Sequence, residues 1–190
     1  TIVDFVVIED FDALNKEIQS CGSFRYDLKQ YLNSLDKPPF DDVISLLGTG
    51  QHAIESKGVL EYFTQFPLEI SPDKRKDPCL VWPNHPLRNQ LLENAIKAMD
   101  GDNLDALIYP TWSNPPAHIN KANEEYLGDN SQLLVPAAGL PAVTIPMGFW
   151  QQRLPAGIQV TGRPYAEGVL IEIAYGYEQL TKHRKPPEGF

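Results

Sequence analysis

Apolar residues along this 190-residue chain gather into short runs whose spacing changes from one segment to the next. Val3–Ile8 is an apolar run rich in β-branched residues, and it stops at Glu9-Asp10. From Phe11 to Leu35 the apolar positions fall at helical spacing, with Gly22-Ser23 dividing the stretch into two helices. In the second piece Phe24, Leu28, Tyr31, Leu32 and Leu35 form one stripe, and Pro38-Pro39 stops it. Asp41-Asp42 opens a short helix over Val43–Leu47, where the macrodipole favours acids, and Gly48-Thr-Gly50 closes it. Lys57–Phe66 predicts a further short helix.

Residues 67–86 carry Pro67, Pro72, Pro78, Pro83 and Pro86 around the charged patch Asp73–Asp77. Proline at this density excludes a regular helix or central strand, so the stretch reads as a surface loop. A helix resumes over Leu87–Met99, with Leu87, Leu91, Ala95 and Met99 on one face and Asp100-Gly101 at its end. Asp105–Tyr109 is an unbroken apolar run after its first residue, bounded by Pro110, the pattern of a strand covered on both faces. Thr111–Asn130 is polar and irregular, and too long for a plain connection. Ala142–Ile145 and Gly157–Thr161 read as a hairpin with Gln151-Gln-Arg153 at its tip. Tyr165–Lys182 is a helix with Leu170, Ile173, Tyr177 and Leu180 on one face, ended by Pro186-Pro187. A helix feeding an apolar strand is α/β grammar.

Composition narrows the function. With 42% hydrophobic residues the chain can bury one sizeable core, and 17 prolines favour loops over long helices. A net charge of −9 and a pI near 4.8 argue against charge-driven binding to nucleic acid or anionic lipid. No apolar run approaches the roughly 20 residues of a membrane span. Cys21 and Cys79 lie far apart in dissimilar settings. One disulfide is arithmetically open, but the expectation is two buried free thiols in a reducing compartment. The chain starts at Thr1 without a charged-then-apolar leader, which reads as a processed product or a fragment and favours a cytoplasmic setting.

Catalytic constellations are missing from the sequence. A serine nucleophile needs a base and converging N–H groups around it. The nearest Gly/Ser pair, in Cys21-Gly-Ser23, sits in a helical region and reads as a helix break or cap. His52, His85, His118 and His183 are scattered and lack metal-ligand spacing, so no metal, cofactor or catalytic residue is assigned. Trp112 follows the end of the Asp105–Tyr109 strand, at the edge where α/β proteins place ligands, and could line a pocket for an apolar acyl group. Simple packing is its alternative.

The most specific signal is Pro136-Ala-Ala-Gly-Leu-Pro-Ala-Val-Thr-Ile-Pro-Met-Gly-Phe149 followed by Leu154-Pro-Ala-Gly-Ile-Gln-Val-Thr-Gly-Arg-Pro-Tyr165. Joined to the helix ending in Tyr177-Glu-Gln-Leu-Thr-Lys-His-Arg-Lys-Pro-Pro187 and to Asp105-Ala-Leu-Ile-Tyr-Pro-Thr111, it resembles the C-terminal part of amidase-signature hydrolases. Phe24-Arg-Tyr-Asp-Leu28 adds a looser match. The resemblance implies an α/β fold in which helices flank a mixed β-sheet, with residues 1–190 as one partial domain and 67–86 as a proline-rich surface loop. It implies amide cleavage by a Ser-Ser-Lys triad carried in a Gly/Ser-rich segment that this sequence does not contain.

In the amidotransferase branch of that family an acidic residue ahead of the Gly-Leu-Pro turn holds the substrate amino group. Asp129 matches that position, so Asp129 and Trp112 are the candidate substrate-binding residues. Capping of Ser131–Val135 is the alternative role for Asp129. Pro136, Asn130 and Ser131 depart from the branch pattern and favour a general amidase. The implied partners are a small-molecule amide substrate and the N-terminal half of the amidase domain. The competing reading is an inactive, truncated amidase-like module with a structural or interaction role.

Overall fold

In a computed structural model, residues 1–18, 21–76, 78–80 and 84–186 are described. Gln19 and Ser20 beside the expected helix break, Asp77 and Pro83 of the proline-rich stretch, and the terminal Pro187 lie outside them. The chain divides into two compact units, Gln19–Val81 and Thr1–Ile18 with Trp82–Phe190. In chain order the helices α1 (Phe11–Glu17), α2 (Phe24–Asn33), α3 (Val43–Thr49), α4 (Lys57–Phe63) and α5 (Pro86–Gly101) precede strand β1 (Leu107–Pro110). Short helices α6 (Ala122–Glu125) and α7 (Val135–Ala138) lead to strands β2 (Ala142–Trp150) and β3 (Leu154–Thr161), then helix α8 (Glu167–Thr181).

The Gln19–Val81 unit is organised by polar cross-links between small helices. Asp42 caps α3: it accepts from the Ile44 N–H, while the Ser45 hydroxyl accepts from the Asp42 N–H at 2.9 Å. Gly50 closes the helix in the left-handed conformation, φ 67°. Arg25 of α2 pairs with Asp42 at 2.8 Å and donates to the carbonyls of Thr64 (2.8 Å) and Phe66 (2.9 Å). Phe24 and Phe63 bring α2 and α4 together, with ring centroids 4.8 Å apart.

Cys21 and Cys79, expected as free thiols, are joined in a disulfide with their Cα atoms 5.3 Å apart. Fifty-eight positions separate them, so only the folded path of the unit brings them together. Among the described residues of the proline-rich stretch, Pro72–Lys74 makes a 3-10 turn, and α5 starts at Pro86.

In the other unit the strands lie in the order β1-β3-β2, and both pairings are antiparallel. The hairpin reaches further than its Pro and Gly punctuation suggests. Pro146 cannot donate to a ladder, and the pairing slips between Pro146 and Gly148 as a bulge before resuming to Trp150. Its tip turns through Gln151 (φ 48°) and Gln152 (φ 60°), with the Arg153 N–H donating to the Trp150 carbonyl. Two successive positive φ values make this the primed turn that matches strand twist.

Each sheet face has its own cover. Ile145 and Val160 pack with Leu170, Ile173 and Tyr177 of α8. The other core gathers Leu14 of α1, Leu91, Ala95 and Met99 of α5, Leu107 of β1, and Ala137 and Ala138 of α7. Leu91, Ala95 and Met99 are 0% exposed, as the helical spacing predicts.

Two expectations change. The Asp105–Tyr109 run forms a strand only from Leu107, and Ile108 is 49% exposed because β1 is the edge of this sheet. Leu180 is 88% exposed, so the apolar face of α8 ends with Tyr177. The Val3–Ile8 run, to which the sequence assigns no element, forms no strand, and its Val6 and Ile8 pack on the core.

Candidate functional site

Trp112 and Asp129, singled out on separate grounds, meet. They form an antiparallel β-bridge immediately beyond the end of β1. The Thr111 N–H donates to the Gly157 carbonyl at 2.8 Å, continuing the β1–β3 ladder, and the Thr111 carbonyl accepts from the Asn130 N–H at 3.0 Å. The Ser113 N–H donates to the Gly128 carbonyl at 2.7 Å. The long polar excursion between them therefore leaves and returns through one stitched neck. Gly128 sits there at φ 78°, where a Cβ would meet the Asn114 side chain at 2.7 Å, so only glycine suits the return.

The Asp129 carboxylate is fully engaged. Oδ1 accepts from the N–H (3.0 Å) and hydroxyl (2.5 Å) of Ser131, and Oδ2 accepts from the Tyr126 hydroxyl (3.1 Å) and the Gln132 amide (2.9 Å). These donors, the Ser131 hydroxyl first, hold the carboxyl below the usual carboxylate range. The Tyr126 hydroxyl is shifted upward by the same contact. The Tyr126 ring stands edge-on to Trp112, centroids 5.1 Å apart at 90°. Trp112 stays 37% exposed, so the cluster presents an aromatic wall backed by an anchored carboxylate.

Sequence reasoning treats Asn130 only as a departure from an apolar pattern. Its amide donates to the Pro110 carbonyl (2.9 Å) and the Ser113 hydroxyl (2.8 Å), so a polar side chain there fastens both sides of the neck. No local periodicity signals such a contact.

A groove of about 1360 Å³ lies along β1, lined by Val3, Phe5 and Val7 on one side and Leu107, Tyr109 and Asn130 on the other. It shares Asn130 with the Trp112–Asp129 cluster but is not lined by Trp112 or Asp129. Burial pushes the Tyr109 hydroxyl up to about 12, which keeps it a neutral phenol.

Two of the four histidines have structural settings. His85 caps α5, its Nδ1 accepting from the Arg88 N–H at 3.4 Å, and His118 pairs with Glu125 at 2.7 Å on the surface. Ser23 precedes α2 without a side-chain capping bond. Among the described residues no group of three or more His, Cys, Asp or Glu is placed to hold a metal, and no helix is long and apolar enough to cross a membrane.

Comparison with known proteins agrees with this architecture. The chain is 39% identical over 110 residues to a glutamyl-tRNA(Gln) amidotransferase subunit of Nostoc sp., covering 54% of this chain and 21% of that protein. A 64-residue stretch is 48% identical to the corresponding protein of Moorella thermoacetica, covering 33% of this chain and 13% of that one. The chain thus spans about a fifth or less of the curated relatives it matches.

Among solved structures, a peptide amidase crystallised with the competitive inhibitor chymostatin is 26% identical, with a TM-score of 0.57 over 87% of this chain and 33% of that one. Native peptide amidase from Stenotrophomonas maltophilia shares the fold at 22% identity, with a TM-score of 0.63 over 94% of this chain and 36% of the enzyme. Residues 71–171 match the sequence profile described as Amidase, and the chain belongs to that family.

Proposed function

We propose that this chain forms the C-terminal, substrate-side segment of an amide hydrolase whose Ser-Ser-Lys triad is carried by polypeptide outside residues 1–190. The observation that carries the reading is the family match over residues 71–171, which spans the strand, the neck and the hairpin. The sequence itself holds no serine in a Gly/Ser-rich loop to act as nucleophile.

In this reading a serine from the remaining polypeptide attacks the amide carbonyl, the amine leaves, and water releases the acid from the acyl-enzyme. Trp112, held edge-on by Tyr126, offers an apolar wall for the acyl or side-chain group of the substrate. Asp129 is a substrate-side residue that shapes this wall. Both its oxygens are occupied, so an incoming amine would have to displace Tyr126 or Gln132 to reach it.

The test is to combine the purified chain with the remaining part of the enzyme and assay hydrolysis of aryl amides and peptide amides. Activity with both pieces and none with either supports the reading, and hydrolysis by residues 1–190 alone overturns it. In the complete enzyme, Trp112→Ala is expected to raise KM by about tenfold with little change in kcat, the signature of lost uniform binding.

A further inference from the structure

Cys21 and Cys79 stand just inside the two limits of the Gln19–Val81 unit. Their bond turns nearly the whole unit into one covalent loop. Weaker ties gather at the same neck. Arg75 donates to the Gly22 carbonyl at 2.7 Å and to the Pro67 carbonyl at 3.2 Å, and its guanidinium lies 5.8 Å from the Phe66 ring centroid. The Phe66 ring lies so close to Gly22 that any side chain there would collide with it. The Cys79 N–H donates to the Pro72 carbonyl at 2.9 Å.

The interior of the unit offers little to replace that closure. Leu32, Val43 and Leu60 are its buried aliphatic side chains among the described residues, whereas the other unit holds two clustered cores. A unit with a small core depends more on covalent cross-linking.

We propose that Cys21–Cys79 is a redox latch: oxidised, it closes the Gln19–Val81 unit, and reduction by a dithiol loosens that unit while the β1-β3-β2 sheet stays folded. Cys79 is 8% exposed and Cys21 is only half-buried, so the incoming thiolate attacks the Cys21 sulfur. The sulfur–sulfur bond breaks, Cys79 leaves as a thiolate and takes a proton, and a mixed disulfide remains on Cys21. The second thiol of the dithiol then displaces Cys21. Two electrons and two protons pass to the protein, and the dithiol becomes a cyclic disulfide. Opening a loop of this length raises the unfolded fraction of the unit by roughly 1,000-fold in the chain-entropy account.

The experiment is hydrogen exchange read by mass spectrometry on the full 190-residue chain, with and without dithiothreitol, alongside thiol counting in denaturant. The expected result is no titratable thiol before reduction and two afterwards, with faster exchange across α2 to α4 and unchanged exchange in β2 and β3. A Cys21→Ser, Cys79→Ser double variant should exchange like the reduced protein and ignore dithiothreitol. Two free thiols in protein purified without reductant would overturn the proposal. So would unchanged exchange after complete reduction, or equal loosening of the sheet. The comparison of oxidised with reduced wild-type chain decides even where the double variant fails to fold. None of these measurements depends on amide hydrolysis.

Discussion

Trp112 and Asp129 face each other across an antiparallel bridge that closes the excursion between β1 and α7. The carboxylate does more than pair its backbone. It collects four donors, from Ser131 twice, Tyr126 and Gln132, and so fixes the ring against which Trp112 rests. Asp129 caps no helix, since α7 starts at Val135 with Leu134 as its N-cap, and Asp129→Ala should cost about 1 kcal/mol through the lost hydrogen bonds. Asp129→Asn keeps one acceptor oxygen and should cost less. Because the folded carboxyl sits below its unfolded value of roughly 3.9, its contribution is complete above that pH and fades as acid reaches the folded value. Denaturant melts of wild type and Asp129→Ala should therefore converge in strong acid, and persistent separation there would contradict this account.

The cap of α5 responds to pH in a different range. His85 accepts the Arg88 N–H, so it must be neutral to cap, and burial followed by the nearby Arg88 cation holds its pKa below the ordinary histidine value. The protonated form is thus disfavoured in the folded chain. The stabilisation is complete above the unfolded value of about 6.5 and is lost as pH falls through the folded value. The stability difference between wild type and His85→Ala should shrink from pH 7.5 to pH 5, and a constant difference would remove the capping role.

Arg25 joins one carboxylate and two carbonyls from later segments. Its guanidinium and the Asp42 carboxylate are each almost covered, and the same side chain satisfies the carbonyls of Thr64 and Phe66. Arg25→Ala leaves Asp42 charged and unpaired in a dry setting and should destabilise the chain by about 3 kcal/mol. Asp42→Asn, which can still cap α3, should cost less. Equal losses in urea titrations would show that the ion pair, and not the stranded charge, sets the cost.

Gly157 is where side chains from both neighbouring strands converge. A Cβ there would lie 2.9 Å from the Thr144 methyl and 3.0 Å from the Thr111 hydroxyl. Gly157→Ala is expected to lose about 1–3 kcal/mol through overpacking, and Gly157→Ala with Thr144→Ser should recover part of it. Failure of the second substitution to help would place the strain elsewhere.

Much of this architecture is legible before any coordinates. The i, i+4 spacing of Leu87, Leu91, Ala95 and Met99 announces a one-faced helix, and the three innermost of these are sealed. Acids at 41–42 and glycines at 48–50 mark both ends of α3. What stays hidden depends on long-range closure. The disulfide links positions 58 apart, Arg25 reaches three groups on later segments, and Asn130 stitches a neck whose other strand lies far upstream. The Asp105–Tyr109 run misleads because an apolar strand reads the same at a sheet edge as at its centre. Trp112 and Asp129 are each legible as candidates. Their contact is not, since no local pattern spans the loop between them.

Proline at position 110 blunts one edge of the sheet. Thr111 and Gly157 are directly opposed and hydrogen-bonded, so Pro110 directs its backbone away from β3, where its missing N–H costs the sheet nothing. Its outward carbonyl is already taken by Asn130, and only Ile108 is left within β1 to recruit another strand. Addition of a further strand along β1 is therefore disfavoured. One cyclic side chain thereby blunts the β1 edge of the sheet, while β2 forms the other edge.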